Sequence, residues 1–371
     1  MKREFLPRLV AWELTGRCNL NCVHCRASAS DKVDPNELTI HEIKATIDDI
    51  ADFCKPILIL TGGEPLVRED VFEIAEHATK KGLRVVLGTN GTLLTSEVVA
   101  KLKEAGVRRV SISIDCAYAE EHDSFRGMRG AYEASLRGIE ACKEGGLDFQ
   151  INTTVTKRNL HELQSILDRA VELGAVAHHI FLLVPTGRGK AIEDEEIPPE
   201  EYESVLNWMY DTQREMDSKA TGDPHKMFMK ATCAPHFIRV IQQRSRKDGS
   251  NITLGRHGLD AMTSGCMAGT GFYFISRYGE VNTCGYMPVK AGNIREQSFG
   301  DIWMNSKLFN DLRDRNNLKG KCGACEYRML CGGCRARAYA RYGDYLAEEP
   351  YCIYQPKVMG AGGTSPKTQG P

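Results

Sequence analysis

Three cysteines near the start of the chain have a spacing that suits metal chemistry. Cys18, Cys22 and Cys25 are separated by three and then two residues, and they follow a short apolar run at residues 10–14. That run favours a β-strand, so the loop that carries the thiols is expected at the strand's carboxyl end. Three thiolates can hold three irons of a 4Fe-4S cubane and leave the fourth iron open to a ligand that is not protein. A zinc site is the alternative, since His24 inside the motif offers a fourth ligand.

A second group of cysteines lies in the last third of the chain. Of the 14 cysteines, seven fall between residues 266 and 352, whereas Cys54, Cys116, Cys142 and Cys233 are scattered. The seven are Cys266, Cys284, Cys322, Cys325, Cys331, Cys334 and Cys352. In a chain of 371 residues that shows no signal peptide, this clustering indicates metal or redox chemistry rather than disulfides. Cys233 is either a ligand or catalytic thiol, or a buried structural one.

The elements that position these cysteines follow an alternating pattern over the first two hundred residues. Amphipathic helices separate six short apolar runs whose β-branched content suits buried parallel strands. The runs are residues 10–14, 57–60, 84–88, 109–114, 149–155 and 179–184. Alternation of this kind predicts an α/β fold with a parallel sheet, either doubly wound or an open partial barrel. In both, active residues lie at the carboxyl ends of the strands.

Composition excludes several classes of partner. The formal net charge is -1, so the chain lacks the basic excess that nucleic acid or an anionic membrane surface would attract. No apolar run approaches the roughly 18 to 20 residues needed to span a bilayer. We therefore expect a cytoplasmic protein with no nucleic-acid partner and no membrane span.

Two motifs together resemble the radical SAM superfamily. One is CxxxCxxC at Cys18, Cys22 and Cys25, and the other is the turn Thr-Gly-Gly-Glu-Pro at residues 61–65, directly after the second apolar run. The resemblance implies a partial (β/α)6 barrel, similar to a TIM barrel, over residues 5–215. It also implies that the three cysteines are catalytic and hold a 4Fe-4S cluster that cleaves S-adenosyl-L-methionine (SAM). The residues that it assigns to SAM binding are His24, Gly62, Gly63, Glu64, Pro65, Asn90, Ser113, Asp115, Asn152 and Thr153.

Residues 263–356 resemble the SPASM extension of radical SAM enzymes, which binds auxiliary 4Fe-4S clusters. That pattern usually has three residues between its last two closely spaced cysteines, whereas this chain has only Gly332 and Gly333. Seven thiols are available where two fully ligated cubanes need eight. By the family pattern, one complete cluster uses Cys322, Cys325, Cys331 and Cys352. The remaining Cys266, Cys284 and Cys334 form a three-ligand site with an open iron, so one or two auxiliary clusters are expected. A zinc ribbon is the alternative.

Segments at residues 231–237, 265–271 and 331–339 resemble one branch of the superfamily, which acts on porphyrins in the siroheme-derived route to haem and haem d1. Within the branch the chain is most similar to AhbD-type haem b synthases, although the deacetylating AhbC type and the haem d1 enzyme NirJ share much of the pattern. The resemblance implies oxidative decarboxylation of two propionates of iron-coproporphyrin III to vinyl groups. The expected partners are an iron porphyrin substrate and an electron donor such as ferredoxin or flavodoxin. Candidate carboxylate-binding residues are Arg188, Arg239, Arg256, His236 and His257.

Two other functions stay open on the sequence. A peptide-modifying SPASM enzyme is one, although the chain shows no added peptide-recognition domain at its N-terminus. A noncatalytic electron carrier or scaffold is the other, against which the Gly-Gly-Glu-Pro turn argues. Residues 216–262 are predicted as a linker or substrate-pocket segment, and residues 357–371 as a disordered tail.

Overall fold

The structure, a computed structural model, describes residues 5–219, 227–249 and 265–357. Its strands are β1 (Leu9–Glu13), β2 (Ile57–Thr61), β3 (Arg84–Thr89), β4 (Val110–Ser113), β5 (Phe149–Val155), β6 (Ala177–Leu182), β7 (Phe228–Thr232), β8 (Phe272–Ile275), β9 (Glu280–Cys284) and β10 (Met287–Asn293). Its helices are α1 (Ile40–Phe53), α2 (Val71–Lys80), α3 (Ser96–Glu104), α4 (Ala119–Arg126), α5 (Ala131–Gly145), α6 (Leu163–Leu173), α7 (Pro199–Lys219), α8 (Phe237–Lys247), α9 (Phe299–Asn305), α10 (Lys307–Arg313), α11 (Gly320–Ala324) and α12 (Arg335–Tyr342).

The strand order distinguishes between the two expected sheet architectures. One sheet contains all ten strands in the order β10-β9-β8-β1-β2-β3-β4-β5-β6-β7, and β1 to β7 pair in parallel in chain order. A doubly wound sheet reverses its order at a switch point. An order that follows the chain, joined by right-handed crossovers, instead places the helices on one face, as in a barrel. The predicted partial (β/α)6 barrel is therefore confirmed.

Strand β7 and helix α8 were not predicted. They occupy most of the described part of residues 216–262, which we expected to be a linker or substrate-pocket segment. Lys230 in the middle of β7 interrupts its apolar pattern, which hides a strand of only five residues from a periodicity argument. Arg256 and His257 lie outside the described residues, as does the predicted tail from residue 358 onward.

Helix α1 illustrates how the local sequence fixes an element that covers the sheet. Thr39 begins it with the predicted capping box: the Glu42 backbone N–H donates to Thr39 Oγ1 over 3.3 Å, and the Thr39 N–H donates to Glu42 Oε2 over 2.8 Å. Ile43, Ile47 and Ile50 on its inner face are fully buried in the main core. Each such side chain contributes about 1.5–3 kcal/mol of burial free energy, so the stripe holds α1 against the strands.

The Cys-rich C-terminal part is joined to the barrel through the sheet itself. Strand β8 pairs in parallel with β1, and β9 and β10 continue as antiparallel neighbours. Behind this junction, Tyr273, Phe299 and Trp303 form an aromatic group that belongs to the main core. The Trp303 indole N–H donates to the Phe5 carbonyl over 3.2 Å, which ties the first described residue of the chain to α9. Among the described helices, none combines the length and the apolar character that a bilayer crossing requires.

This shared core gives a stability prediction. Trp303→Ala removes a fully buried indole and leaves a cavity between the C-terminal part and the barrel, which should lower the free energy of unfolding by about 3–5 kcal/mol. Met329→Ala, at a position that is 64% exposed, is the control and should change it by less than about 0.5 kcal/mol. Anaerobic chemical denaturation followed by far-UV circular dichroism measures both. Equal midpoints for the two variants would contradict a common core.

Candidate active site

The first cysteine motif lies where expected, on the loop after β1. The thiols of Cys18, Cys22 and Cys25 line one cavity at the carboxyl ends of the parallel strands. Backbone N–H groups of Leu20 and Ala29 donate to the Cys18 and Cys25 sulfurs over 3.3 Å and 3.4 Å. Hydrogen bonds to sulfur are one of the ways in which proteins set the potential of an iron-sulfur cluster. The loop is therefore folded around its sulfur atoms.

The donor set fits a cubane cluster better than a single metal ion. Within the described ranges, no three His, Cys, Asp or Glu side chains converge closely enough to share one ion, as the zinc alternative requires. Burial raises the pKa of the Cys18 thiol to about 11. A thiol in such surroundings ionises when metal charge stabilises its thiolate. Three thiols on one cavity wall with N–H donors suit a 4Fe-4S cluster with one open iron.

Arg126 at the end of α4 is a site residue that the sequence analysis missed. Its guanidinium lies 3.8 Å from the Cys22 sulfur through Nη1 and forms an ion pair through Nη2 with Asp115, which is completely buried. Asp115 also accepts the Thr154 backbone N–H over 2.8 Å. Asp115 therefore positions Arg126 and does not line the cavity. Arg126 is separated from the cysteine motif by a hundred residues, so no local spacing indicated it.

The Gly-Gly-Glu-Pro turn after β2 packs against the cysteine loop. A Cβ atom on Gly63 would lie 2.3 Å from the Arg17 carbonyl oxygen, and one on Gly62 would lie 2.7 Å from that of Thr15. The Gly63 N–H donates to the Thr15 carbonyl over 2.7 Å, and the Glu64 N–H donates to the Arg17 carbonyl over 2.8 Å. Both glycines line the cavity, but the close approach that requires them is to protein backbone. An ammonium group only donates hydrogen bonds, so this turn would receive it through carbonyl oxygens.

Glu64 acts inside the protein and not on the cavity wall. Its carboxylate is fully buried and accepts from Thr89 Oγ1 over 2.8 Å and from the backbone N–H groups of Leu66 and Asn90 over 3.1 Å and 2.7 Å. Burial raises the pKa of Glu64 to about 7. These bonds fix the end of β3, where Asn90 lines the cavity. Glu64 thus joins the turn after β2 to the turn after β3.

Side chains along β5 point alternately to the two faces of the sheet. This alternation distinguishes Asn152 from Thr153, which the sequence left as equal candidates. Asn152 lines the cavity, and so does Thr154 two residues later. Thr153 points to the other face of the sheet, where it is fully buried and its hydroxyl donates to the Ile114 carbonyl over 2.6 Å. The prediction that Thr153 contacts SAM is therefore wrong in this geometry. Ser111, two residues before Ser113 on β4, is a cavity residue that the same periodicity would have indicated.

The predicted cofactor residues therefore divide into two sets. Those that line the cavity are His24, Gly62, Gly63, Asn90, Ser113 and Asn152. Those that lie behind its wall are Glu64, Pro65, Asp115 and Thr153.

The predicted carboxylate-binding residues are not brought together. Arg188 lines the cavity, but its guanidinium donates to the backbone carbonyls of Cys22 and Ala29 over 2.9 Å and 2.5 Å, so it supports the cysteine loop. Arg239 and His236 line a different cavity, next to the C-terminal cysteines. Arg239 and His236 therefore do not join Arg188 at the first cavity, and their binding of a carboxylate stays a prediction.

The four cysteines grouped by the family pattern line this second cavity. They are Cys322, Cys325, Cys331 and Cys352. Backbone N–H groups of Glu349, Tyr327 and Gly333 donate to the sulfurs of Cys322, Cys325 and Cys331 over 3.3 Å, 3.4 Å and 3.4 Å. The geometry supports Cys331, rather than Cys334, as the member of this set.

A pair of glycines explains how the shortened gap between Cys331 and Cys334 is tolerated. Gly332 and Gly333 adopt φ of 71° and 63°, a left-handed conformation that few other residues enter. The chain therefore turns back sharply, and the two cysteines on either side face different sites. Cys334 belongs, with Cys266 and Cys284, to an apolar cluster that also includes Tyr286. Tyr286 lines the first cavity, so this third cysteine group lies directly behind its wall.

Comparisons with known proteins agree with these sites. Residues 12–170 match the model of the radical SAM superfamily, and residues 266–326 match that of SPASM, an iron-sulfur cluster-binding domain. The chain is 58% identical over 350 residues to the AdoMet-dependent heme synthase of Methanosarcina barkeri, covering 94% of this chain and 97% of that protein. It is 50% identical over 352 residues to the AdoMet-dependent heme synthase of Nitratidesulfovibrio vulgaris, covering 95% and 94%.

A more distant relative and a solved structure extend the comparison. Identity to the Fe-coproporphyrin III synthase of Methanosarcina barkeri is 33% over 362 residues, covering 95% of this chain and 89% of that protein. The crystal structure of Streptococcus suis SuiB bound to S-adenosylmethionine superposes with a TM-score of 0.71, covering 95% of this chain and 78% of SuiB at 16% identity. At that identity the likeness concerns the fold alone.

The first cysteine motif gives a direct prediction. Cys18→Ala, Cys22→Ala and Cys25→Ala should each abolish 5′-deoxyadenosine formation, because each removes one of the three thiolates of the cluster. Cys142→Ala, which alters a buried thiol in α5 that does not line the cavity, should retain it. Anaerobic incubation with SAM and dithionite, followed by chromatography, measures the nucleoside. Normal SAM cleavage in any of the three variants would refute the assignment.

The contact of Arg126 with Cys22 gives a second prediction. Arg126→Gln removes positive charge and a donor beside the sulfur, so the cluster's reduction potential should become more negative. Formation of 5′-deoxyadenosine should fall by about 10–100-fold, as is typical when an outer partner of a metal ligand is lost. Arg126→Lys, which keeps the charge, should restore part of both. Arg169→Gln, which breaks an exposed ion pair on α6, is the control. An unchanged potential in Arg126→Gln would contradict the role.

Proposed function

The chain belongs to the radical SAM superfamily, and we propose that it is a haem synthase that converts two propionate side chains of iron-coproporphyrin III to vinyl groups. Membership gives it a 4Fe-4S cluster, SAM and auxiliary iron-sulfur clusters as cofactors, as the sequence predicted. When bound, the first cluster and SAM supply a carbon radical that removes hydrogen atoms. The noncatalytic alternative is thereby rejected.

The third cysteine group behind the cavity wall is the observation that carries the proposal. Removing a hydrogen atom from a propionate β-carbon leaves a carbon radical on the substrate. Breaking the bond between the neighbouring α-carbon and the carboxylate then gives carbon dioxide, the vinyl double bond and one electron. That electron needs an acceptor close to the cavity. Cys266, Cys284 and Cys334 would hold an auxiliary cluster next to Tyr286, which lines the cavity.

Electron accounting supports the same reaction. Each propionate gives up one hydrogen atom to the SAM-derived radical and releases one electron. Each SAM cleavage consumes one electron, so the two steps balance for every vinyl group formed. An auxiliary cluster that accepts the released electron therefore fits a reaction that is oxidative for the porphyrin. A reaction without net oxidation of its substrate would not need an acceptor at this position.

Relatives support this member of the porphyrin branch over its sister enzymes. Two AdoMet-dependent heme synthases share 58% and 50% of their aligned residues with the chain, whereas a Fe-coproporphyrin III synthase shares 33%. All three alignments cover at least 89% of the relative, so they compare whole proteins rather than the common barrel.

We further propose ferredoxin or flavodoxin as the electron donor, with the enzyme in the cytoplasm.

The residues of the cavity have supporting roles in this proposal. His24 stacks on Phe125 with ring centroids 4.1 Å apart, and burial lowers the pKa of His24 well below its usual range. It is therefore a neutral ring that shapes the cavity rather than a cation for a carboxylate. Arg26, which also lines the cavity, pairs with Glu13 over 2.6 Å. The carboxylate-binding role of Arg256 and His257 stays a prediction.

Anaerobic turnover with SAM, a reductant and iron-coproporphyrin III tests the proposal. Mass spectrometry of the porphyrin should show two successive losses, each of one carbon dioxide and two hydrogen atoms, with one 5′-deoxyadenosine formed per loss. The Cys18→Ala variant is the control and should leave the porphyrin unchanged. Loss of acetate side chains from a sirohaem-derived porphyrin instead would identify the sister enzyme. SAM consumption that requires a peptide would identify a peptide-modifying enzyme.

A further inference from the structure

Seven cysteines in the C-terminal part leave one of two cubanes short of a ligand, and an eighth thiol lies beside that site. We propose that Cys233 is the fourth thiolate of the auxiliary cluster held by Cys266, Cys284 and Cys334. This cluster then has a complete protein ligand set and no open iron. The proposal replaces the three-ligand site expected from the family pattern.

The position of Cys233 is the first argument. It directly follows β7, the strand that the sequence analysis missed, and packs against the apolar cluster that contains Cys334, Cys266 and Cys284. Four cysteines from four separate parts of the chain are thus neighbours. Four thiolates are what a 4Fe-4S cubane takes when it is fully ligated by protein.

The backbone of Cys233 is the second argument. Its φ is 60°, and only one other non-glycine residue in the described ranges, Ser28, has a positive φ. A side-chain-bearing residue keeps such a conformation only when its surroundings impose it, and such residues concentrate at functional sites. Here the Cys233 carbonyl accepts hydrogen bonds from Tyr202 Oη over 2.9 Å and from Arg337 Nη1 over 3.0 Å. Both donors are themselves buried, so the turn is held from two sides.

Charge beside the four thiols is the third argument. Arg337 on α12 is almost completely buried, and its guanidinium lies against Cys233, whose carbonyl accepts from Arg337 Nη1 over 3.0 Å. Its ion-pair partners are Glu196 and Glu349, at 3.4 Å and 3.5 Å, and it also donates to Tyr202 Oη and to the carbonyls of Leu182 and Leu183. Four thiolates give a cubane more negative charge than three, and Arg337 places the positive end of this buried network beside Cys233.

A complete ligand set changes the role of this cluster. With no open iron it does not bind a propionate directly, and it serves as an electron acceptor behind the cavity wall. The inference concerns ligation alone, so it holds or fails whichever substrate the enzyme takes. Its test therefore uses iron content and spectra and not turnover.

Cluster composition in a simplified background tests the ligand. In a variant with Cys18, Cys22 and Cys25 all changed to Ala, the auxiliary clusters should contribute about eight irons per chain. Adding Cys233→Ala should lower this to about seven or fewer, with the electron paramagnetic resonance signal of a three-iron cluster or the loss of one cluster signal. Adding Cys142→Ala instead should change neither quantity. Eight irons and an unaltered spectrum with Cys233→Ala would overturn the proposal.

A second measurement does not depend on a folded Cys233 variant. Cyanide binds an open cubane iron and alters its resonance spectrum, whereas a cubane with four thiolates offers no such position. In the background without the first three cysteines, cyanide should therefore leave the spectrum unchanged. With Cys233→Ser added, the weaker oxygen ligand should allow cyanide to shift one of the two signals. A cyanide-induced shift in the background with Cys233 intact would show an open iron and reject the proposal.

Discussion

An ion pair between Asp115 and Arg126 links the first cysteine loop to the centre of the sheet. Asp115 follows β4 and is completely buried, so its charge would be very costly without a partner. Arg126 provides that partner and places a second nitrogen 3.8 Å from the Cys22 sulfur. Removing one member of a buried pair costs about 3–5 kcal/mol, because the other charge is left alone. The ion pair that compensates the buried charge of Asp115 therefore also fixes the position of the first cysteine loop.

A buried arginine recurs beside each cysteine group. Arg335 on α12 donates to the Cys322 sulfur over 3.6 Å and to two backbone carbonyls of the loop after α12. Arg337, two residues later, accompanies Cys334 and Cys233. Arg335 and Arg337, two residues apart on one short helix, thus contact two different cysteine sites. A guanidinium suits this use, since it stays charged when buried and has several donors in fixed geometry. A thiolate in the low-dielectric interior is stabilised both by the positive charge and by the N–H donors.

The sequence predicted elements well where information was local and poorly where it depended on partners distant in the chain. Six of the seven barrel strands follow from short apolar runs, and the capping box of α1 follows from Thr39 and Glu42. The choice between Asn152 and Thr153 depends on which face of β5 points to the cavity. A run of consecutive polar residues does not show this. Arg126 and Cys233 acquire their neighbours only when the sheet is assembled. Glu64 was predicted to bind SAM, but its carboxylate accepts from Thr89 and Asn90 and it does not line the cavity.

The junction between β1 and β8 gives the two halves of the site a fixed separation. Glu13 at the end of β1 pairs with Arg26 from the first cysteine loop over 2.6 Å and with Arg277 from the turn after β8 over 2.5 Å. Arg26 also donates to the Gly285 carbonyl over 3.4 Å, next to Cys284 and Tyr286. One buried carboxylate therefore holds the loop of the first cysteine motif close to the β9–β10 hairpin that carries Cys284. Because backbone pairing and buried charge both maintain this contact, the electron acceptor that we propose lies beside the cavity in which we propose that the substrate radical forms.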